Sequence, residues 1–194
     1  MTHLALINLG CGNLGSVGLA FERLGIAPTV TDDPHTIAQA RRVVLPGVGA
    51  AGFAMERIRA LNLQPLLAGL KQPLLGICLG MQLLFERSEE GDVACLGLLP
   101  GTVRKLEPGP GRPVPHMGWS RLDVAAEKIG LSNEDYVHFA HSYVCPQGPQ
   151  TAAAADYGGP IPAAVRRDNL WGAQFHPEKS AAAGRRFLEA FLSA

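Results

Sequence analysis

The run Pro73-Leu74-Leu75-Gly76-Ile77-Cys78-Leu79-Gly80-Met81-Gln82-Leu83-Leu84-Phe85 most constrains what this chain can become. Leu74 to Ile77 are apolar or Gly, as a short buried strand of a parallel sheet requires. Met81, Leu83, Leu84 and Phe85 then read as the start of a buried helix. Between them stands Gly-x-Cys-x-Gly. A strand that turns sharply into a helix leaves one side chain at the apex, and small flanking residues relieve the crowding there. This is the logic of a nucleophile elbow, here with Cys78 at the tip. The positive end of the helix dipole favours a thiolate at that point. The Leu79 N–H is then placed to donate to a developing oxyanion. A buried structural cysteine would account for the stretch equally well in isolation, so the rest of the chain has to decide.

At 194 residues the chain is expected to form one domain over residues 1–194 with a substantial core. Lys plus Arg and Asp plus Glu number 17 each, giving no net charge and no basic field of the kind that nucleic acid attracts. The longest apolar runs are strand-length, and Met1-Thr2-His3 leads straight into a strand-like segment, so neither a signal peptide nor a membrane span is expected. Cys11, Cys78, Cys95 and Cys145 lack metal-type or disulfide-framework spacing, which fits reduced thiols in the cytoplasm.

Leu4 to Ile7 reads as a first strand, followed by the loop Asn8-Leu9-Gly10-Cys11-Gly12-Asn13 and a helix with Leu14, Val17, Phe21 and Leu24 on one face. Gly10-x-Gly12-x-x-Gly15 superficially matches a dinucleotide fingerprint. It has no acidic partner at a strand end about 20 residues on, because Asp32 and Asp33 precede Pro34 at a helix start, and nucleotide binding is not expected. Thr29 to Thr31 is a second strand, with Asp33 as N-cap of the helix that follows. Val43 to Leu45 is a third, ending in Pro46-Gly47-Val48-Gly49-Ala50, before a helix carrying Phe53, Met55, Ile58 and Leu61. The free N–H groups of this small-residue turn face the elbow as a second half of an oxyanion hole.

Alternation of strand and helix to residue 87 argues for an α/β fold with a mostly parallel central sheet and helices on both faces. Residues 96–175 hold short strands and turns, expected as an antiparallel extension of the same sheet. Within it, Ala163 to Arg167 and Leu170 to Phe175 form a hairpin around Asp168-Asn169. A last helix, capped by Ser180, has Phe187, Leu188, Phe191 and Leu192 on one face.

A cysteine nucleophile needs a base and a group that orients it. His176 follows the strand Trp171 to Phe175, is held by Pro177, and has Glu178 two residues on. That carboxylate can reach back to Nδ1 and leave Nε2 facing the thiol.

At this point Pro46-Gly47-Val48-Gly49, Gly76-Ile77-Cys78-Leu79-Gly80-Met81-Gln82 and Gln174-Phe175-His176-Pro177-Glu178-Lys179-Ser180 resemble, in order and separation, the class I glutamine amidotransferases. Gly12-Asn13-Leu14-Gly15-Ser16-Val17, Pro115-His116-Met117-Gly118-Trp119 and His141-Ser142-Tyr143 are similar to the glutaminase subunits of imidazole glycerol phosphate synthase, of histidine biosynthesis. The likeness runs from Leu6 to the last helix. It implies a single-domain amidotransferase fold with Cys78 as nucleophile, His176 as base and then acid, and Glu178 as orienter. Val48, Gly49 and Leu79 would surround the oxyanion, the Val48–Gly49 peptide acting as a candidate switch. Gln82, Glu90, Ser142 and Tyr143 would contact the glutamine. Asn13, Trp119 and Lys179 would face a (β/α)8-barrel synthase subunit in a heterodimer, although a core tryptophan and a solvated lysine are the plainer readings of the last two. No metal or organic cofactor is implied. Ammonia would pass to that partner and enter a phosphoribulosyl aminoimidazole intermediate.

Three positions depart from the pattern: Asn8-Leu9-Gly10 where Asp-Tyr-Gly is common, His138 in place of an aromatic, and Ser120 in place of Asn. None touches the three catalytic candidates. The competing readings are the glutaminase of another synthase, such as that of pyridoxal phosphate, a non-catalytic binding subunit, and a cysteine peptidase. The Pro115 to Trp119 stretch with Gln82 speaks against the first, the complete Cys78, His176 and Glu178 set against the second, and the lack of any sign of an extended peptide groove against the third.

Overall fold

The computed structural model of the chain describes residues 3–10, 12–47 and 49–194. In its first half β1 (Ala5–Ile7), β2 (Thr29–Thr31), β3 (Val43–Gly47) and β4 (Leu74–Cys78) alternate with α1 (Leu14–Glu22), α2 (Pro34–Gln39), α3 (Ala51–Ala60) and α4 (Leu63–Gly69). α5 (Leu79–Leu83) follows β4 without a break. The second half contributes β8 (His116–Val124), β9 (Tyr136–His141), β11 (Thr151–Asp156), β12 (Pro160–Arg167), β13 (Leu170–Ala173) and α6 (Ala181–Leu192). Among the described residues these strands form one nine-stranded sheet in the order β2-β1-β3-β4-β13-β12-β11-β8-β9. It is parallel from β2 to β13 and antiparallel from there to β9.

Side-chain alternation along the strands divides the core between the two sheet faces. Leu4, Leu6, Val44, Leu75 and Ile77 pack with Phe21 of α1 and with Phe187 and Phe191 of α6. Ala5, Ile7, Val43, Leu45 and Leu74 pack with Ile37, Met55, Ile58, Leu63, Leu67 and Leu83 of α2 to α5. Edge-to-face aromatic pairs tie α6 down, with Phe187 5.4 Å from Phe175 and 5.8 Å from Trp171 between ring centroids. Arg42 then reaches the carbonyls of Phe191 and Ala194 at the end of that helix.

Three elements differ from what periodicity suggests. The helix expected through Leu61 stops at Ala60, because Asn62 turns left-handed at φ 53° and α4 restarts from it; Phe53 lies on the exposed side. α5 is only five residues long, because the Leu96, Gly97, Leu98 and Leu99 N–H groups take the carbonyls of Leu83, Leu84 and Phe85. The antiparallel extension is on the main sheet as expected, but β5 (Arg87–Ser88), β6 (Val93–Ala94), β7 (Thr102–Lys105) and β10 (Tyr143–Val144) separate into a four-stranded sheet. With so short a helix before it, β5 starts only a few residues from the end of β4 and cannot return to the central sheet.

Candidate active site

Register brings the sequence-separated candidates together. Gly47 at the end of β3 pairs with Cys78 at the end of β4, and Ala173 at the end of β13 pairs with Ile77. The next residues of β13's chain, Gln174 to His176, therefore emerge beside Cys78, at the carboxyl edge where open α/β sheets bind ligands. Cys78 has φ 53° and ψ −109°, a conformation that costs on the order of 1–3 kcal/mol in a non-Gly residue. The tight turn requires glycine around it. A Cβ on Gly76 would sit 2.5 Å from the Gly80 carbonyl, and one on Gly80 would sit 1.8 Å from the Leu45 oxygen.

His176 Nδ1 and Glu178 Oε1 are 2.8 Å apart; the carboxylate accepts, so Nε2 is the nitrogen left for the sulfur. Burial alone would lower the His176 pKa. Interactions with the Cys78 and Glu178 side chains outweigh burial and raise it to about 9. Imidazolium is thus the form present at neutral pH. The loop is fixed from below: the His176 N–H donates to His138 O at 2.9 Å, and Ser180 Oγ donates to His176 O at 2.7 Å while accepting from His138 N at 3.0 Å. Ser180 stands at the N-cap of α6, yet its side chain does not cap that helix; the hydroxyl is spent on β9 and the His176 loop.

A cavity of about 420 Å³ opens over the sulfur, lined by Gly49, Cys78, Leu79, Gln82, Glu90, Ser142, Tyr143, His176 and Lys179, with Pro115, Met117, Ala140 and His141 completing the wall. Gly49, with φ +99°, and Leu79, which opens α5, both line this space. Val48 lies outside the described residues. Gln82 is buried, its Nε2 donating to Tyr143 O at 3.0 Å and to Gln174 Oε1 at 2.9 Å. Glu90 holds the N-terminus of α3 by accepting from Ala51 N at 2.8 Å. Asn13 is exposed and caps α1 through Ser16 N, while Trp119 on β8 is 53% exposed. A core tryptophan is therefore excluded, and with Met117 and Tyr136 it leaves large apolar groups exposed on β8 and β9.

Several residues at the site lie in or beside the motif stretches, yet nothing local in the sequence assigns them a role. Gln174, fully buried, donates from Nε2 to Cys78 Sγ at 3.7 Å. His141 Nδ1 donates to Tyr143 O at 2.8 Å, so its Nε2 accepts from His116 Nδ1 at 3.0 Å; Ser120 Oγ then donates to His116 Nε2 at 2.9 Å. His116 also stacks between Tyr157 and Phe139. His138, which stands where an aromatic is usual, lies against Trp119 on one side and His176 on the other, so this departure, contrary to expectation, does adjoin a catalytic candidate.

These histidines set a pH dependence of stability. Burial drives both His116 and His141 down to about 4. The unfolded chain therefore binds more protons between pH 6.5 and 4, and their contribution, full above pH 6.5, is lost as pH falls through 4. His176 runs the other way: raised to about 9, it contributes fully below pH 6.5 and loses that contribution as pH rises through 9. Each group is worth at most on the order of 3 kcal/mol at 1.36 kcal/mol per pH unit. The melting temperature should accordingly be highest near pH 6.5, and His176→Gln should flatten the alkaline limb alone. A melting profile still rising from pH 7 to 9 would contradict this.

A family model for glutamine amidotransferase class-I matches residues 13–194. The imidazole glycerol phosphate synthase subunit HisH of Xanthomonas oryzae pv. oryzae (strain MAFF 311018) is 52% identical over 195 residues, covering 99% of this chain and 98% of the relative. The subunit of the same name from Xylella fastidiosa (strain Temecula1 / ATCC 700964) is 50% identical over 198 residues, with 99% and 98% covered. Among solved structures, a glutamine amidotransferase superposes with a TM-score of 0.78 at 20% identity, covering 98% of this chain and 97% of the other. A glutamine amidotransferase from Thermotoga maritima superposes at 0.63 and 17% identity, covering 99% and 83%. The two structural likenesses speak to the fold alone.

Proposed function

The chain belongs to the class I glutamine amidotransferase family, and from that premise we propose that it is the glutaminase subunit of an imidazole glycerol phosphate synthase, with residues 1–194 as one amidotransferase domain. Near-full-length identity of 50–52% to subunits of that name supports the assignment. The observation that carries the chemistry is that Cys78 and His176 line one cavity, with Glu178 behind the imidazole, 2.8 Å from its Nδ1.

The Cys78 thiolate attacks the carboxamide carbon of glutamine, and the main chain at Gly49 and Leu79 faces the oxyanion that forms. Collapse of the tetrahedral intermediate breaks the C–N bond. The proton for the departing nitrogen comes from the His176 imidazolium, which Glu178 orients and charge-stabilises. Neutral His176 then takes a proton from water as it attacks the thioester, releasing glutamate and restoring the thiolate–imidazolium pair. Gln82, Glu90, Ser142 and Tyr143 line the wall where the amino-acid end of glutamine sits. Gln82 has both amide hydrogens committed to protein, which leaves its carbonyl oxygen for the ligand.

The ammonia leaves toward a (β/α)8-barrel synthase subunit. Support for the docking side comes from the exposed Met117, Trp119 and Tyr136 on β8 and β9, with Met117 and Lys179 at the cavity. Asn13 lies on the same carboxyl side of the sheet and has its side-chain oxygen occupied by α1.

A glutamine analogue bearing an electrophilic diazoketone in place of the carboxamide tests the site. It should add covalently and stoichiometrically to Cys78, with excess glutamine protecting, as read by peptide mass mapping. Labelling spread over the other cysteines, or unaffected by glutamine, would remove the assignment.

A further inference from the structure

We propose that Gln174 is a catalytic residue, whose side-chain amide donates a hydrogen bond to the Cys78 thiolate and is aimed there by the main-chain carbonyl of Tyr143. The proposal rests on Cys78 being the nucleophile and adds a second protein donor to it beside His176.

The direction of the bonds follows from one group that has no choice. A peptide carbonyl only accepts, so Gln82 must present Nε2, not its oxygen, to Tyr143 O at 3.0 Å. The other hydrogen of the same Nε2 meets Gln174 at 2.9 Å, which obliges Gln174 to turn its oxygen toward Gln82. Its NH₂ group is then left facing Cys78 Sγ at 3.7 Å. Gln174 has no exposed surface, so it cannot flip without stranding buried polar atoms. The Tyr143 carbonyl is itself met by a second donor, His141 Nδ1, whose other ring nitrogen accepts from His116.

An N–H aimed at sulfur favours the charged form, whereas the uncharged thiol has a separate acceptor, Ala140 O at 3.9 Å. Gln174 therefore biases the site toward thiolate, and by gripping Gln82 it also holds one wall of the substrate cavity. The titratable and charged groups that reach this site are His176, Lys179 and, behind the imidazole, Glu178 on the loop after β13, His141 on β9, Tyr143 on β10, Cys145 beyond it and Glu90 across the cavity. Cys95 and Cys145 do not confuse a thiol assay, since burial pushes Cys95 up to about 11 and raises Cys145 well above the usual thiol range.

Gln174→Met keeps the volume and removes the donor. Alkylation by iodoacetamide, mapped to the Cys78 peptide and followed from pH 5 to 10, should slow about tenfold at pH 7, with half-maximal reactivity displaced upward by about one pH unit. KM for glutamine should rise in the same variant. An unchanged alkylation profile with raised KM would reduce Gln174 to a support for Gln82 and overturn the proposal. If the Met variant does not fold, Gln174→Glu keeps the shape and the acceptor for Gln82 but sets a carboxylate against the sulfur. Its profile should move further upward, and an unmoved one overturns the proposal equally. Alkylation reads the thiol whatever the substrate, so failure of diazoketone labelling with a displaced alkylation profile would count against the glutaminase reading and not against Gln174.

Discussion

His176→Ala is expected to lower glutamine hydrolysis by on the order of 10⁴-fold or more, and Cys78→Ala to abolish the thioester route altogether. The two losses should not multiply. Without the sulfur the imidazolium has no intermediate to protonate, and without the imidazolium the sulfur has no partner to hold its charge or to release ammonia. The double variant should therefore be no slower than Cys78→Ala. Glu178→Gln is expected to be milder: it keeps a hydrogen-bond acceptor for Nδ1, 2.8 Å away in the native chain, but removes the charge that helps hold His176 near 9. Steady-state glutamate release measures all four. A His176→Ala variant within tenfold of the native chain would place the base elsewhere.

Gly80→Ala should have the largest effect of any substitution that leaves the catalytic side chains in place. The added Cβ would fall 1.8 Å from the Leu45 carbonyl oxygen, and that oxygen belongs to the central strand β3, so no side chain can move aside. Relief requires α5 to lift from β3, which also carries Cys78 off its turn. Overpacking of this kind costs about 3 kcal/mol or more. Denaturant titration should show the midpoint falling accordingly, and any folded fraction should be inactive because the elbow is displaced. A variant of native stability and native turnover would show that the elbow does not depend on this contact.

The parallel half of the sheet, the elbow and the His176–Glu178 pair are legible in the sequence for a common physical reason. Each is encoded within a few residues, as an apolar run closed by small residues or as an i, i+2 spacing. The rest depends on pairings that local pattern does not carry. Gln174 reaches Cys78 across 96 positions and Gln82 reaches Tyr143 across 61, so neither bond leaves a trace in spacing. His116 and His141 are polar residues in alternating strands, and only the fold reveals that they satisfy each other in the interior. Ser180 has the residue type and position of an N-cap, and its hydroxyl is diverted by a strand that packs beneath it. The early end of α5 is likewise imposed by residues 96–99, which take its carbonyls from outside the helix.

The most direct measurement is glutamate release from glutamine by the purified chain, alone and with the barrel synthase subunit and its ribotide substrate, with Cys78→Ala as control. The account predicts release that is strongly stimulated by the liganded partner and absent in Cys78→Ala. Release that survives Cys78→Ala, or no release in the complete liganded complex, would contradict it.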